Sequence, residues 1–282
     1  MNKIIAVTGS KGFIGTHLVK VLIENNYKIL ELNKQAGYDV SDISTLSKIN
    51  HFDTIVHLSD YTFVPESFKN PSSFFNNNFL CMLNVLELAR KFSANVIFFS
   101  SYLYGHPKYL PINEKHPIQP HNPYAQSKVI SEKLCEGYYR DYNIPITILR
   151  PFNVYGPMQK SSFIIPNIIN QIKSNKIILN DLRPKRDFVY ITDVINAVKL
   201  CIENKFSDYN VFNLGSGISI SIQEITNIIL KIYDVDLKIE CLNKIRKGEI
   251  LDTIADVNLI KEKLCWEPKV SIDEGINQIK SY

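Results

Sequence analysis

The chain has 282 residues, 45% hydrophobic and 21% charged, ordinary globular values for a protein able to bury a full core in one large or two unequal domains. Its 32 basic and 28 acidic residues leave a formal charge of +4 and are scattered along the chain, so no block of like charge supports steering by nucleic acid or a membrane surface. The cysteines (Cys81, Cys135, Cys201, Cys241, Cys265) are odd in number, widely spaced and without a C-x-x-C pair, which argues against a disulfide framework and a zinc pattern and fits a reducing compartment.

The N-terminal stretch MNKIIAVTGS runs into a strand without a signal-peptide apolar region, and no apolar run approaches the ~18 residues of a membrane span. A soluble cytoplasmic protein is expected, with no nucleic-acid or membrane partner and no metal site. KIIAVTG is a short β-branched run closed by glycine, the pattern of a buried parallel strand. From Phe13 to Glu24 the apolar residues Phe13, Leu18, Val21 and Leu22 recur at helical spacing. YKILELN reads as a second strand and DTIVHLS as a third. A long helical segment around Asn78 to Phe92 precedes a fourth strand, ANVIFFS. IPITILRP is the fifth, after the helix that holds YAQSK. This alternation predicts an α/β fold with a doubly wound parallel sheet.

After Pro151 the pattern loosens. FIIPNIINQIKSN is helical, KIILNDLRPKRDFVYI reads as a hairpin, and TDVINAVKLCIE is another helix. YNVFNLGSG reads as a further sheet strand, SIQEITNIILKIY as a helix, and the tail after Arg246 is mixed. The domain expectation is a sheet domain over residues 1–152 that also receives about 190–215 and 247–260. A smaller mixed α/β substrate domain lies mainly in 153–282, interleaved with the first.

TGSKGFIG sets Gly9, Gly12 and Gly15 directly after a strand and at the opening of a helix. Glycines there permit a tight turn and close backbone approach to a pyrophosphate, and the helix N-terminus supplies free N–H groups. At the end of the second strand an acid usually takes the adenosine ribose hydroxyls in NAD sites. Here the position falls on Asn33, followed by Lys34. Either Lys34 pairs with a 2′-phosphate, which favours NADP(H), or Asn33 binds hydroxyls at a solvated strand end. Asp39 is a second candidate for the adenine side.

Tyr124 and Lys128 in NPYAQSK stand one turn apart on the same helix face. The fourth strand ends FFSSYLYG, so Ser100 and Ser101 lie at the carboxyl edge of the sheet, where such folds bind ligands. A hydroxyl there, beside a tyrosine and an ammonium, suits proton transfer coupled to hydride transfer.

Taken together, TGSKGFIG, VHLS, NNNFLCMLNVLELA, SSYLYG, NPYAQSK, LRPFNVYGP, KRDFVYITDV and FNLGSG resemble the extended short-chain dehydrogenase/reductase superfamily, in its NAD-dependent epimerase/dehydratase group acting on nucleotide sugars. The resemblance runs over nearly the whole chain. It implies a Rossmann-type sheet domain, a C-terminal substrate domain, NADP(H) or NAD(H) as cofactor, a nucleoside-diphosphate sugar as substrate and a homodimer. The dimer is expected through the helices near Leu80 to Phe92 and Tyr124 to Tyr139.

By resemblance, Tyr124 is the acid/base, Lys128 the ribose ligand and Ser100 the hydroxyl that bonds the sugar oxygen, with Ser101 as the fallback. The implied cofactor set is Gly9, Gly12, Phe13, Ile14, Gly15, Asn33, Lys34, Asp39, Val40, Leu58, Ser59, Asn78, Tyr124 and Lys128. On the substrate side Asn153, Arg186 and Arg246 match diphosphate ligands and Glu249 a ribose ligand. Ile164 and Ile165 either flank the base or belong to the core.

Departures narrow the chemistry. The family's 4,6-dehydratases carry an Asp-Glu pair where this chain has Ser101 and Tyr102. Epimerase-reductases resembling GDP-fucose synthase carry a Cys/His pair at positions that fall on Tyr102 and Phe163. Ser59 and Asp60 replace a usual small-residue pair, and structural capping is the role expected of Asp60. Simple redox at C4 of the sugar remains. Reduction of a nucleotide 4-keto-(6-deoxy) sugar for surface-polysaccharide precursors is preferred, an NAD-dependent 4-epimerase is the alternative, and a non-catalytic NAD(P)-binding regulator is a remote third.

Overall fold

The computed structural model describes residues 3–204, 206–246 and 248–282. In chain order the elements begin β1 (Ile4–Thr8), α1 (Phe13–Glu24), β2 (Lys28–Leu32), β3 (Thr54–His57), α2 (Val64–Lys69), α3 (Pro71–Phe92), β4 (Asn95–Phe99), α4 (Pro123–Tyr142) and β5 (Ile146–Pro151). They continue with β6 (Asn153–Tyr155), α5 (Ile164–Ile172), β7 (Ile177–Leu179), β8 (Lys185–Tyr190), α6 (Ile191–Asn204), β9 (Tyr209–Leu214), β10 (Ser219–Ser221), α7 (Ile222–Tyr233), β11 (Ile239–Cys241), α8 (Asn258–Leu264) and α9 (Ile272–Ser281).

Two compact units divide the chain. One contains Met1–Gly105, Pro117–Pro151 and Ile195–Phe212, and the other His106–His116, Phe152–Val194 and Asn213–Tyr282. The segment 248–260, expected with the sheet, lies in the second unit, as does 106–116. Among the described residues, no helix is long and apolar enough to cross a membrane.

In the first unit a six-stranded sheet runs β2-β1-β3-β4-β5-β9. The pairs β1–β2, β1–β3, β3–β4 and β4–β5 are all parallel, the doubly wound arrangement expected. The central strands are apolar on both faces because helices cover both. Ile5, Ala6, Val7, Ile55, Val56 and Phe98 are fully buried. Because β2 flanks β1 on one side and β3 on the other, the strand order reverses at β1. That reversal opens a crevice at the carboxyl ends of β1 and β3, the usual ligand site of such sheets.

Helix α4 owes its start to the local sequence. Asn122 accepts the Ala125 N–H at 2.8 Å as N-cap, and Pro123 supplies a pre-set first helical residue. This places Tyr124 in the first turn. The helix ends at Asn143, in the left-handed region at φ 54°. Its buried face packs against α3, with Cys135 Sγ 3.7 Å from Met82 Sδ. Glu132, on the same face, grips Arg150 of β5 with two bonds of 2.9 and 2.6 Å, and Tyr104 Oη accepts from the same guanidinium at 3.0 Å.

The second unit holds a three-stranded sheet β10-β8-β6 and a two-stranded sheet β11-β7. The hairpin expected over residues 176–191 does not form. β7 pairs in parallel with β11, and β8 pairs with β10 antiparallel and β6 parallel. Alternation in that stretch marks which side chains are buried but carries no information about which strand completes the ladder. Asp187 of β8 is fully buried and accepts N–H groups from Ser216, Gly217 and Ala255 at 2.5, 3.0 and 2.9 Å, fastening three stretches of this unit. Burial pushes its carboxyl above the usual range, against those donors.

Candidate active site

The glycine loop turns tightly between β1 and α1. Gly12 N–H bonds the Gly9 carbonyl at 2.9 Å, and Gly9 itself has φ +63°, a conformation glycine adopts without strain. A Cβ added at Gly15 would stand 2.2 Å from the Gly9 carbonyl oxygen, so the helix meets the loop too closely for any side chain. The N-cap of α1 is Gly12, which offers no side-chain cap, leaving first-turn N–H groups for an anion. Phe13 and Ile14 form that first turn. These features fit a dinucleotide pyrophosphate.

At the adenosine end, Asn33 folds back on the loop. Its amide donates to Ser10 Oγ at 2.8 Å and its carbonyl accepts Ala36 N–H at 3.0 Å. Lys34 is not an isolated cation, because it pairs with Asp39 at 2.8 Å, and that bond together with Ser41 holds the Asp39 carboxyl below its usual range. Val40 is buried and its carbonyl accepts from Asn84 at 2.9 Å.

The crevice itself contains a chain of buried polar groups that begins at the two strand ends. Thr8 Oγ1 accepts the N–H groups of Leu58 and Ser59 at 2.9 and 3.2 Å and lies 2.8 Å from His57 Nδ1. Two donors occupy the lone pairs of the hydroxyl, so its hydrogen points to Nδ1 and the imidazole proton sits on Nε2. Nε2 faces Asp60 Oδ1 at 3.3 Å, within ion-pair range but outside hydrogen-bond alignment. Asp60 Oδ2 accepts from Lys128 Nζ at 2.5 Å, and Lys128 donates also to the Phe99 carbonyl at 2.5 Å. Burial disfavours the charged form of Asp60, but the Lys128 ammonium, with the Nε2 edge of His57 turned toward the carboxylate, outweighs it and holds the carboxyl at about 2.

Asp60 therefore does not cap a helix, contrary to the expectation from the sequence. The N-cap of α2 is Phe63, and the Asp60 carboxylate is the ion partner of Lys128. Thr8 and His57 were not identified from the sequence. The available signal was a histidine and an aspartate three residues apart after a buried strand, where small residues are usual.

Tyr124 is half-buried one turn before Lys128 on α4. Ser100 follows β4, its N–H fixed on the Leu149 carbonyl at 2.8 Å, and its buried hydroxyl has no partner among the described residues. Such an orphan at a sheet edge awaits a ligand oxygen. Ser101 beside it is less buried. Asn78 is fully buried and ties the Tyr61 backbone to Ser127 Oγ at 2.9 Å, locking the loop after β3 to the helix of Tyr124 and Lys128. Tyr102 Oη donates to the Gly105 carbonyl at 2.6 Å, so this hydroxyl is engaged locally.

In the second unit Arg186 and Glu249 come together as an ion pair, and Arg186 also donates to the Ile250 carbonyl at 2.7 Å. Asn153 donates to the Asp187 carbonyl at 3.1 Å. Arg246 is exposed, its carbonyl accepting Glu249 N–H at 3.1 Å. Of the two isoleucines, Ile165 is core at 1% exposure and Ile164 is half-buried at the start of α5 behind the exposed Phe163.

A glycine loop at a sheet switch point, a buried serine hydroxyl and a Tyr/Lys helix define an NAD(P)-dependent enzyme of the short-chain dehydrogenase/reductase type. Residues 5–215 match the NAD dependent epimerase/dehydratase family. The chain is 30% identical to the GDP-6-deoxy-D-mannose reductase of Pseudomonas aeruginosa over 100% of this chain and 97% of that protein. Its fold superposes on the structure of RMD from Pseudomonas aeruginosa complexed with NADPH with a TM-score of 0.91 at 29% identity, covering 99% of this chain and 98% of that one. A UDP-glucose 4-epimerase from Thermotoga maritima, solved with UDP-glucose, gives a TM-score of 0.90 at 28% identity over 99% and 98%. The chain belongs to the NAD-dependent epimerase/dehydratase family.

Proposed function

We propose that the protein reduces the 4-keto group of a nucleoside-diphosphate 4-keto-(6-deoxy) sugar, with NADP(H) as cofactor. The observation that carries this reading is Asn33 in place of a carboxylate at the adenosine edge, beside a Ser100, Tyr124 and Lys128 set that lacks the groups further chemistry needs. Ser101 and Tyr102 stand where an elimination acid and base are required, and the Tyr102 hydroxyl is engaged with Gly105. Phe163, half of the position pair for C3/C5 epimerisation, is an apolar helix cap.

The cofactor, held by the glycine loop, the Asn33 edge and Lys128, supplies a hydride when bound. Ser100 donates its unpartnered hydroxyl to the sugar oxygen, Tyr124 delivers the proton to that oxygen, and Lys128 fixes both the tyrosine side of the helix and the nicotinamide ribose. Asn153, Arg186, Arg246 and Glu249 serve the nucleotide diphosphate and its ribose. An amide in place of a carboxylate at Asn33 removes a repulsion against a 2′-phosphate, which favours NADP(H) and its exchange after each turnover. A GDP-6-deoxy-D-mannose reductase and UDP-glucose 4-epimerases are both among the relatives, which supports redox chemistry on a nucleotide sugar and leaves the direction to the Asn33 edge.

Purified protein incubated with a nucleotide 4-keto-6-deoxy sugar is expected to consume one NADPH per product formed. Interconversion of 4-epimeric nucleotide sugars without added reductant overturns the reductase reading in favour of an epimerase. A homodimer belongs to the same proposal. Phe79, Leu80 and Ile130 on α3 and α4 are 38%, 41% and 40% exposed, an apolar face suited to a second copy, and light scattering measures the mass.

A further inference from the structure

Asp60 takes no part in the proton and hydride transfer just described, yet its carboxylate is buried at the switch point where that transfer is proposed to occur. Its side chain is 1% exposed and that of Lys128 3%. Removing two charges from water costs more than their attraction commonly returns, so a buried pair is poor evidence for a purely stabilising role. Asp60 also lies three residues beyond His57, the last residue of β3, which meets Thr8, the last residue of β1. The pair therefore lies beside the crevice that receives a cofactor in this class of sheet.

We propose that Asp60 is a positioning residue that holds Lys128 in place and cancels its charge, and so sets the balance between oxidised and reduced nicotinamide at this site. The charge count follows from the hydrogen bonds. Lys128 contributes one positive charge, Asp60 one negative charge, and His57, with its proton on Nε2 and Thr8 donating to Nδ1, none. Oxidised nicotinamide is a cation and the reduced ring is neutral, so the net charge of neighbouring groups acts on one form alone. A lone ammonium disfavours the oxidised form, and Asp60 offsets that. The inference rests on the cofactor part of the proposed function and is independent of which sugar is reduced.

The test is calorimetric binding of NADP+, NADPH, NAD+ and NADH, without sugar and at near-neutral pH, to wild type, Asp60→Asn, Lys128→Met and the double variant. The readout is the ratio of the dissociation constants of oxidised and reduced forms. Asp60→Asn raises that ratio about tenfold, equivalent to about 1.4 kcal/mol. Lys128→Met lowers it by a similar factor, and the double variant returns within about threefold of wild type. The ribose is common to both forms, so weaker ribose binding in the absence of Lys128 cancels in the ratio. Neutral replacement of both members of a buried pair is well tolerated, so if one single variant does not fold, the other compared with the double variant carries the test with its own sign. Ratios unchanged in variants that bind cofactor overturn the proposal, whatever their melting temperatures. Failure of wild type to bind either form overturns it together with the proposed function. A shifted ratio in a protein that turns over no 4-keto sugar supports it and refutes the substrate reading alone.

Discussion

Asp60 Oδ2 stands 2.5 Å from Lys128 Nζ, joining the loop after β3 to α4 across 68 residues of sequence. The carboxylate is held ionised in a buried setting chiefly by that ammonium, with the Nε2 edge of His57 turned toward it.

Asp60→Asn leaves the Lys128 ammonium buried without its counter-ion and should cost about 3–5 kcal/mol of stability at neutral pH. The folded-state carboxyl of Asp60 titrates at about 2, below its ordinary value of 3.8. A depressed carboxyl contributes stability above its unfolded value and loses it as pH falls through the folded one. Urea unfolding of both proteins should therefore converge as pH falls from about 4 toward 2, because protonated Asp60 resembles the amide.

Tyr124→Phe removes the proton donor and leaves the backbone of α4 and the cofactor loop untouched. Steady-state turnover should drop by at least about 10²-fold, while cofactor affinity stays within a few-fold of wild type. Unchanged turnover refutes the role given to Tyr124.

Two glycine-to-alanine changes should have opposite effects. At Gly15 the new methyl would lie 2.2 Å from the Gly9 carbonyl oxygen, so Gly15→Ala should cost about 1–3 kcal/mol and weaken cofactor binding. Gly137 lies inside α4 with nothing within 4 Å of an added Cβ, so Gly137→Ala should stabilise by up to about 1 kcal/mol. Thermal melts with and without cofactor check both.

Glu132 of α4 and Arg150 of β5 form another buried pair, with side chains 6% and 5% exposed. Glu132→Leu alone strands the guanidinium and should cost about 3–5 kcal/mol, whereas Glu132→Leu combined with Arg150→Met should recover most of it. A double-mutant cycle by denaturant unfolding measures the coupling.

The first five strands, the glycine loop and the Tyr/Lys turn were legible because each is local. β-Branched runs closed by glycine, a helical stripe after Gly12 and the Asn122-Pro123 start of α4 all lie within a few residues of one another. The stretch from Lys176 to Ile191 differs from its expected hairpin for the opposite reason. Its strands pair with partners far away along the chain, Ile177 with Ile239 and Asp187 with Ser219, and alternation names a face rather than a neighbour. Lys34 illustrates the same limit at the site, since its ion pair with Asp39 at 2.8 Å is a contact that spacing alone did not show.

By itself the sequence determined the sheet type, the cofactor loop and the presence of Ser100, Tyr124 and Lys128, because backbone geometry and side-chain spacing in those stretches are set by near neighbours. Only the tertiary structure decided the state of those groups. The strand order brings Thr8 beside His57, and the fold sets Asp60, three residues after His57, onto Lys128. In that water-excluded crevice each charge is set by the others, which no interval along the chain can encode.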